Sequence, residues 1–401
     1  MEKDQKSILK KMTKLIKKKN ICFVTSTRAD YGLFSNLLKN AKKIFDVKII
    51  VTGTHLSKHH GLTINEIKKD GFDIFKSVSI LKEDSDQEFD ICESISKTIN
   101  KFNQIFEKNN FDLIVILGDR YEIFSVATAA RVRRIPIAHI HGGEVTSNAL
   151  DESFRHSITL MSQIHFVAAK KYYNRVMQLG KNPKNIYLVG SLGVSNIKSF
   201  KLYEKVELEK NLNINFANYN FFLIYHPETL EKNYGFEGFK NLCRVLEEFR
   251  NANIFTIFSN SDTGYLKFNK KLLSLSKKKN IFNFKSLDHQ SYLSLVKHCD
   301  LIIGNSSSGI IEAPSLKVPT VNIGKRQHGR LRSNSIIDCD YKYVNIKQSI
   351  SKAIKLKKKL KTKLIKNTNP YDHGNAIKKI INIMNSKKTY ENLNIKKFYD
   401  L

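Results

Sequence analysis

Short runs of apolar and β-branched residues recur along the chain, and stretches with the polar and apolar spacing of helices separate them. Strands that alternate with helices predict parallel sheets built from right-handed βαβ units. Runs that are apolar throughout are typical of sheets covered on both faces. The predicted strands are 21–25, 47–52, 112–117, 135–140, 164–168, 186–189, 220–225, 254–258, 281–284, 301–303 and 320–323.

A break in this pattern falls at Gly190–Gly193 and the charged segment that runs to Asn220. It predicts an α/β protein with two doubly wound domains that face each other across a cleft. We expect a basic N-terminal segment at 1–19, a first domain at 20–193 and a second domain at 194–376. The remaining residues, 377–401, are expected to form a helix and a tail that cross back to the first domain.

Polar and charged clusters follow most of the predicted strands. Ligands of doubly wound folds bind at the carboxyl ends of the strands, so these loops are the expected site of the chemistry. The clusters are richer in charge than turns alone require. They are Ser26–Asp30, Gly118–Arg120, His141–Glu144, His226–Glu228, Asn260–Asp262 and Gly304–Ser307.

The chain of 401 residues carries a formal net charge of +31. Its lysines are spread along the whole length, with runs at 10–19, 277–279 and 352–366 that are typical of solvated helix faces. No nucleic-acid-binding motif accompanies them, so we expect no nucleic acid partner. A positive field instead favours the approach of anionic substrates such as nucleotides.

The remaining composition predicts a cytoplasmic protein. The five cysteines are scattered without metal-ligand spacing, so neither a disulfide framework nor a metal site is expected. No apolar run approaches the roughly 20 residues that span a bilayer, and the lysine-rich N-terminus lacks the apolar core of a secretory signal. We therefore expect no membrane association.

The segment 301–312 predicts a strand, a loop rich in serine and glycine, and the start of a helix. Backbone N–H groups and hydroxyls at such a point can hold a phosphate, and Ser306 and Ser307 are the candidates. Arg326 and Arg330 follow and could bind the same anion. The loop lacks the G-K-[ST] ending of a kinase P-loop, and no G-x-G-x-x-G motif for NAD or FAD occurs after the first strand.

Asp119, Glu144 and Asp151 are carboxylates on loops or helix starts of the first half. A helix N-terminus favours acidic residues, which is the structural alternative for Asp151. Carboxylates on several neighbouring loops exceed what capping needs, and two of them in a dry cleft can divide acid and base work. After the first predicted strand, Arg28 suits a phosphate contact. After the strand 220–225 of the second half, His226 suits a diphosphate or ribose.

Taken together, these segments resemble one family, the hydrolysing UDP-N-acetylglucosamine 2-epimerases of sialic acid biosynthesis. The resemblance runs in order from about Asn20 to Asp400. The segments that carry it are Thr25–Gly32, Leu117–Glu122, His139–Glu144, Asp151–His156, His226–Thr229, Ser259–Gly264, Gly304–Glu312 and Gly324–Arg332.

The resemblance implies two Rossmann-like domains arranged as in glycosyltransferases of the B type. It also implies a reaction in which the nucleotide leaves a nucleotide-linked N-acetylhexosamine by anti elimination. Water then adds to the resulting glycal, which gives the free sugar inverted at C2. With UDP-N-acetylglucosamine the products are N-acetylmannosamine and UDP. No redox cofactor is implied, and a homodimer or homotetramer is usual. Because Asp262 and Asp300 lack the clustering that a divalent-metal site needs, we also expect no metal.

The resemblance also assigns roles to residues. Asp119 and Asp151 match carboxylates that transfer protons at C2 and activate water. The nucleotide diphosphate and ribose are expected to contact Arg28, Arg120, His226, Ser306, Ser307, Glu312 and Arg326.

Two positions depart from the family pattern. His141 stands where several relatives carry a catalytic glutamate, although a subset of the family also has histidine there. The acid/base role then falls either to His141 or to Glu144, and the sequence leaves both open. Ser26 stands where glycine is usual.

Two further functions remain open. One keeps the chemistry but uses a GDP- or UDP-linked N,N'-diacetylbacillosamine on a route to legionaminic acid. The other is a nucleotide-sugar-binding protein without turnover, in which His141 marks lost catalysis. A non-hydrolysing epimerase is disfavoured, because the Gly-Gly-Glu and Asp-Glu-x-x-Arg-His blocks match the hydrolysing branch.

Overall fold

The structure, a computed structural model, describes residues 18–82, 86–365, 368–391, 393 and 398–400. Most of the expected basic segment 1–19 therefore lies outside the described residues, as does part of the expected tail after 391. In the part of the chain that is described, no helix has the length and apolar character needed to cross a membrane.

Strands and helices alternate along the described chain. The strands are β1 Asn20–Thr25, β2 Asp46–Thr52, β3 Lys76–Val78, β4 Leu113–Leu117, β5 Ile137–Ile140, β6 Ile164–Val167, β7 Ile186–Leu188, β8 Tyr219–Ile224, β9 Ala252–Ile257, β10 Ile281–Phe284, β11 Leu301–Gly304, β12 Thr320–Ile323 and β13 Ile336–Cys339. The α-helices are α1 Arg28–Ala41, α2 Ile64–Lys69, α3 Glu88–Lys108, α4 Tyr121–Val132, α5 Asp151–Met161, α6 Lys170–Gln178, α7 Leu192–Ser199, α8 Lys205–Leu212, α9 Phe236–Leu246, α10 Tyr265–Leu275, α11 His289–His298, α12 Ser307–Ile311, α13 Tyr343–Lys361 and α14 Ala376–Asn385.

The strands form two parallel sheets. The first has seven strands in the order β3-β2-β1-β4-β5-β6-β7, and the second has six in the order β10-β9-β8-β11-β12-β13. In each sheet the strand order reverses beside the first strand, which creates a crevice for a ligand at the carboxyl ends. The predicted α/β fold of two facing Rossmann-like domains, as in B-type glycosyltransferases, is confirmed.

Alternating side chains of the central strands pack on opposite faces of each sheet. Phe23 of β1 belongs to one apolar cluster and Val24 to another, and Phe222 and Leu223 of β8 divide in the same way. Both faces of both sheets are therefore covered by helices, which explains why the strands are apolar throughout. Helix α14 completes the first of these clusters by packing against α1 and α7.

The predicted strands all occur, with ends that differ by a few residues. Sequence patterns missed β3 and β13, which lie at the edges of the two sheets. The sequence of β3 is Lys-Ser-Val, with one buried side chain, and β13 has no buried side chain. These two segments are strands because their backbones pair with β2 and β12. Backbone pairing does not require apolar side chains, so the sequence carries no pattern that predicts them.

Gly304 ends β11 at the entrance of the cleft, with φ +134°. A Cβ atom there would lie 2.0 Å from the carbonyl oxygen of Ile224 on the adjacent strand. Only glycine therefore lets the chain leave the sheet at this point and form the serine loop, Asn305–Ser308.

We expect Gly304→Ala to destabilise the protein more than Gly71→Ala, measured as the free energy of unfolding in urea. Gly71 has φ +78° and nothing within 4 Å of its would-be Cβ, so its substitution costs about 1 kcal/mol for the backbone alone. The clash at Gly304 adds about 1–3 kcal/mol. Equal losses for the two variants would contradict the close approach.

Candidate active site

The carboxyl ends of the two sheets face each other across a cavity of about 210 Å³. All the candidate residues except Asp151 line it, and Asp151 starts α5 within electrostatic reach of Asp119. The first domain contributes Arg28, Asp119, Arg120, His141 and Glu144, and the second contributes His226, Ser306, Ser307, Glu312, Arg326 and Arg330.

Arg28 is held at the start of α1 by an ordered loop. Thr27 and Asp30 cap the helix reciprocally, which fixes the turn that follows β1. The guanidinium of Arg28 donates to the carbonyl of Leu287 in the second domain at 2.9 Å and lies over the ring of Tyr292, 5.3 Å from its centroid. Arg28 thus bridges the two domains at one end of the cavity.

Arg120 is surrounded by acceptors. It donates to Glu122 at 3.0 and 3.2 Å, to Asp262 at 2.7 Å and to Ser261 at 2.8 Å. Asp262 and Ser261 belong to the second domain, so this ion pair crosses the cleft. Burial alone would raise the pKa of Asp262, but Arg120 and Arg326 lower it below its ordinary value.

Asp119 follows β4 and is paired with Arg155 of α5. Its carboxylate also accepts a hydrogen bond from the hydroxyl of Thr146 at 3.2 Å. Arg155 is buried, donates to the same hydroxyl at 2.8 Å and to the backbone carbonyl of His141 at 3.0 Å. A charged partner and a hydroxyl donor thus hold the carboxylate of Asp119 in place at the end of β4.

Glu144 lies between His141 and Arg330. Its Oε1 is 3.0 Å from Nδ1 of His141, and its Oε2 accepts from Arg330 of the second domain. Burial alone would raise the pKa of Glu144, but Arg330 and then His141 hold it well below its usual range. Glu144 is therefore an ionised, paired carboxylate.

His141 lines the cavity, and its other ring nitrogen is not engaged by any residue that the structure describes. The backbone of His141 is left-handed, with φ 66°, which turns this residue out of the end of β5. Nε2 is buried and has no hydrogen-bond partner in the structure. Because an ionised Glu144 favours hydrogen on Nδ1, Nε2 carries the lone pair.

Asp151 lies in the most acidic part of the site. Burial, and then the carboxylates of Asp119 and Asp262, raise its pKa, while Arg120 and Arg326 act in the opposite direction. Asp151 therefore retains its proton to a higher pH than an ordinary aspartate does. This carboxyl group is suited to donate a proton.

His226 and Asn305 are locked together at the end of β8. The side chain of Asn305 accepts from the backbone N–H of His226 and donates to its carbonyl, both at 2.8 Å. Burial, followed by the charge of Arg326, lowers the pKa of His226 to about 3. Nδ1 accepts from the backbone N–H of Asn260 at 3.5 Å, so the neutral ring has a donor at Nε2.

The serine loop lines the cavity on the side of the second domain. Ser306 caps α12, and the hydroxyl of Ser308 accepts from Tyr292 at 2.6 Å. Glu312 ends this short helix, and burial raises its pKa. Arg326 enters from the next loop, and its nearest carboxylate, Asp262, lies 3.9 Å away.

Several residues that shape the site had no predicted role. Arg155 and Asp262 lie inside segments that carried the family resemblance, so their charge was the available signal. Tyr292 and His289 lie on α11, where ordinary helical spacing conceals their position at the cavity.

The family described as UDP-N-acetylglucosamine 2-epimerase matches residues 38–385. The chain is 38% identical over 386 residues to the Polysialic acid biosynthesis protein P7 of Escherichia coli, covering 96% of this chain and 98% of that protein. It is 40% identical over 328 residues to the GDP/UDP-N,N'-diacetylbacillosamine 2-epimerase (hydrolyzing) of Campylobacter jejuni, covering 80% of this chain and 85% of that protein.

Among solved structures, the fold is similar to that of the Methanocaldococcus jannaschii UDP-GlcNAc 2-epimerase in complex with UDP-GlcNAc and UDP. The TM-score is 0.75 and the identity 19%, over 91% of this chain and 99% of that one. With a family match over most of its length and long relatives of 38% and 40% identity, this chain belongs to the UDP-N-acetylglucosamine 2-epimerase family.

Proposed function

We propose that this protein is a hydrolysing UDP-N-acetylglucosamine 2-epimerase that supplies N-acetylmannosamine for sialic acid biosynthesis. The observation that carries the proposal is the division of one cavity into two sides. Serine hydroxyls and the weakly paired Arg326 lie on the second domain, and Asp119, His141 and Asp151 lie opposite. The family match and the name of the Escherichia coli relative support the choice of substrate.

The second domain holds the leaving group. Ser306, Ser307 and the Nε2 donor of His226 contact the diphosphate, and Glu312 accepts from ribose hydroxyls. Arg326 neutralises the charge that develops as the C1–O bond breaks. Arg28 adds a charge from the first domain. Arg120 is already paired with Glu122 and Asp262, so it adds positive charge to the wall of the cavity rather than a contact to the diphosphate.

The reaction requires three proton movements. A base removes the C2 proton, the C2–H electrons form the C1=C2 bond, and UDP leaves with the C1–O electrons. Water then adds its hydroxyl to C1 while an acid delivers a proton to the opposite face of C2.

We assign one group to each movement. The lone pair of His141 Nε2 takes the C2 proton, and the carboxylate of Asp119 takes the proton of the attacking water. Protonated Asp151 supplies the new C2 proton. The raised pKa of Asp151 suits it to donate a proton, and the ring nitrogen of His141 without a hydrogen-bond partner suits it to accept one.

A second candidate substrate is a GDP- or UDP-linked N,N'-diacetylbacillosamine, with the same chemistry on a route to legionaminic acid. The Campylobacter jejuni relative named for that substrate is 40% identical to this chain, and it favours this alternative. The two substrates differ in the sugar or the base, while the diphosphate and the C2 proton are common to both.

Incubation with UDP-N-acetylglucosamine in heavy water tests the function. We expect NMR to show free N-acetylmannosamine with deuterium at C2, because the new proton comes from an exchangeable acid. The bacillosamine nucleotides, assayed in parallel, should give a lower kcat/KM. Release of UDP-N-acetylmannosamine with its nucleotide retained, or tight binding without any product, would contradict the proposal.

Asp119→Asn and Asp151→Asn are each expected to lower kcat by more than ~100-fold, because each removes a proton acceptor or donor. The affinity for UDP, measured by calorimetry, should stay near that of the unaltered protein. Near-normal turnover in either variant would remove that residue from the catalytic set.

The rate should also depend on the proton of Asp151. Its raised pKa means that the acid form persists at neutral pH and is lost as pH rises, so kcat should fall on the alkaline side. Asp151→Asn has no such proton to lose, so a plot of its residual kcat against pH should not show this fall on the alkaline side. An identical fall in both proteins would assign the titration to another group.

His141→Gln should lower kcat by ~100-fold or more, because it removes the base. Glu144→Gln should lower kcat by only about 10–100-fold, since it disturbs the tautomer and orientation of a base that is still present. Glu144→Asp, which keeps the charge, is the matched variant and should recover part of the rate. A greater loss in Glu144→Gln than in His141→Gln would reverse the two roles.

A further inference from the structure

Two arginines occupy one loop of the second domain, and the structure places them in different surroundings. Both arginines line the cavity and have a buried Nε without a hydrogen-bond partner among the described residues, but the carboxylate nearest to Arg326, that of Asp262, is 3.9 Å away. Arg330, four residues later, is bound to Glu144 of the first domain. Arg326 is therefore available to an anionic ligand, while Arg330 is already paired.

Breaking the ion pair between Arg330 and Glu144 in favour of a ligand would be energetically costly. The side chains of Arg330 and Glu144 are 4% and 2% exposed. If Arg330 moved to a diphosphate, the charge of Glu144 would be left buried without its strongest partner, which is strongly unfavourable. Arg330 also lies 3.4 Å from the hydroxyl of Thr146, a second contact that holds it against the first domain.

The pair also reaches His141. Glu144 contacts Arg330 through one oxygen and His141 through the other, so the three side chains form a chain from the second domain to the cavity. Opening of the cleft would separate Arg330 from Glu144. The carboxylate would then lose the contact that fixes its position beneath the imidazole.

We propose that Arg330 is a positioning residue that acts through Glu144 and makes the orientation of His141 depend on closure of the cleft, rather than a ligand of the diphosphate. This inference rests on the proposed function in one respect, namely that His141 is the base. The separation of Arg330 from the diphosphate stands on the ion pair alone.

Arg330→Met and Arg326→Met form a matched pair of variants in the full chain. We expect Arg330→Met to leave the calorimetric Kd for UDP within ~3-fold of the unaltered value while kcat falls by ~30-fold or more. Arg326→Met should raise that Kd by ~10-fold or more, since a lost charge-assisted contact is worth about this much. Equal weakening of UDP binding in both variants would overturn the proposal.

The double variant Arg330→Met/Glu144→Gln removes both buried charges and guards against misfolding of the single variant. If Arg330 acts through Glu144, its kcat should equal that of Glu144→Gln alone within ~3-fold. A further loss of ~10-fold or more would show a separate role for Arg330 and overturn the inference.

Binding and turnover also separate the two proposals. If the unaltered protein binds UDP but releases no N-acetylmannosamine, the proposed function fails. The Kd comparison still decides whether Arg330 contacts the diphosphate. If turnover is found and Arg330→Met weakens UDP binding as Arg326→Met does, the function stands and the inference about Arg330 fails.

Discussion

Two buried ion pairs cross the cleft in opposite directions. Arg120 of the first domain pairs with Asp262 of the second, and Arg330 of the second domain pairs with Glu144 of the first. A buried charge without a partner is strongly destabilising, so Arg330 and Glu144 each depend on the opposite domain for neutralisation, while Arg120 is shared between Glu122 of its own domain and Asp262 of the other. The relative position of the two sides of the cavity therefore depends on these pairs.

Pairing also determines which charges remain for a ligand. The net charge of +31 is spread over the surface and says little about the site. Inside the cavity, Arg120, Arg155 and Arg330 each have a carboxylate partner, whereas the nearest carboxylate to Arg326 is 3.9 Å away. Arg28 of the first domain donates to the carbonyl of Leu287 rather than to a carboxylate, so the positive charge left for an anionic ligand lies at Arg326 and Arg28.

The histidine at position 141 changes how the site can divide its work. A glutamate there would add a carboxylate to a region that already holds Asp119 and Asp151. The imidazole instead places a ring nitrogen there, and Glu144 contacts its other nitrogen at 3.0 Å. Replacement of a carboxylate by an imidazole–carboxylate pair is compatible with retained catalysis, and the second domain becomes part of the arrangement through Arg330.

The amino-acid sequence by itself determined the two parallel sheets and the loops that carry the chemistry. Strand and loop signals are local, because a buried strand needs consecutive apolar residues and a ligand loop needs polar ones at its end. Only the tertiary structure decided the edge strands β3 and β13 and the partner of each charged group. Arg330 and Glu144 are 186 residues apart, and Arg120 and Asp262 are 142 apart. Which charges meet depends on how the two domains pack, and no local pattern records that packing.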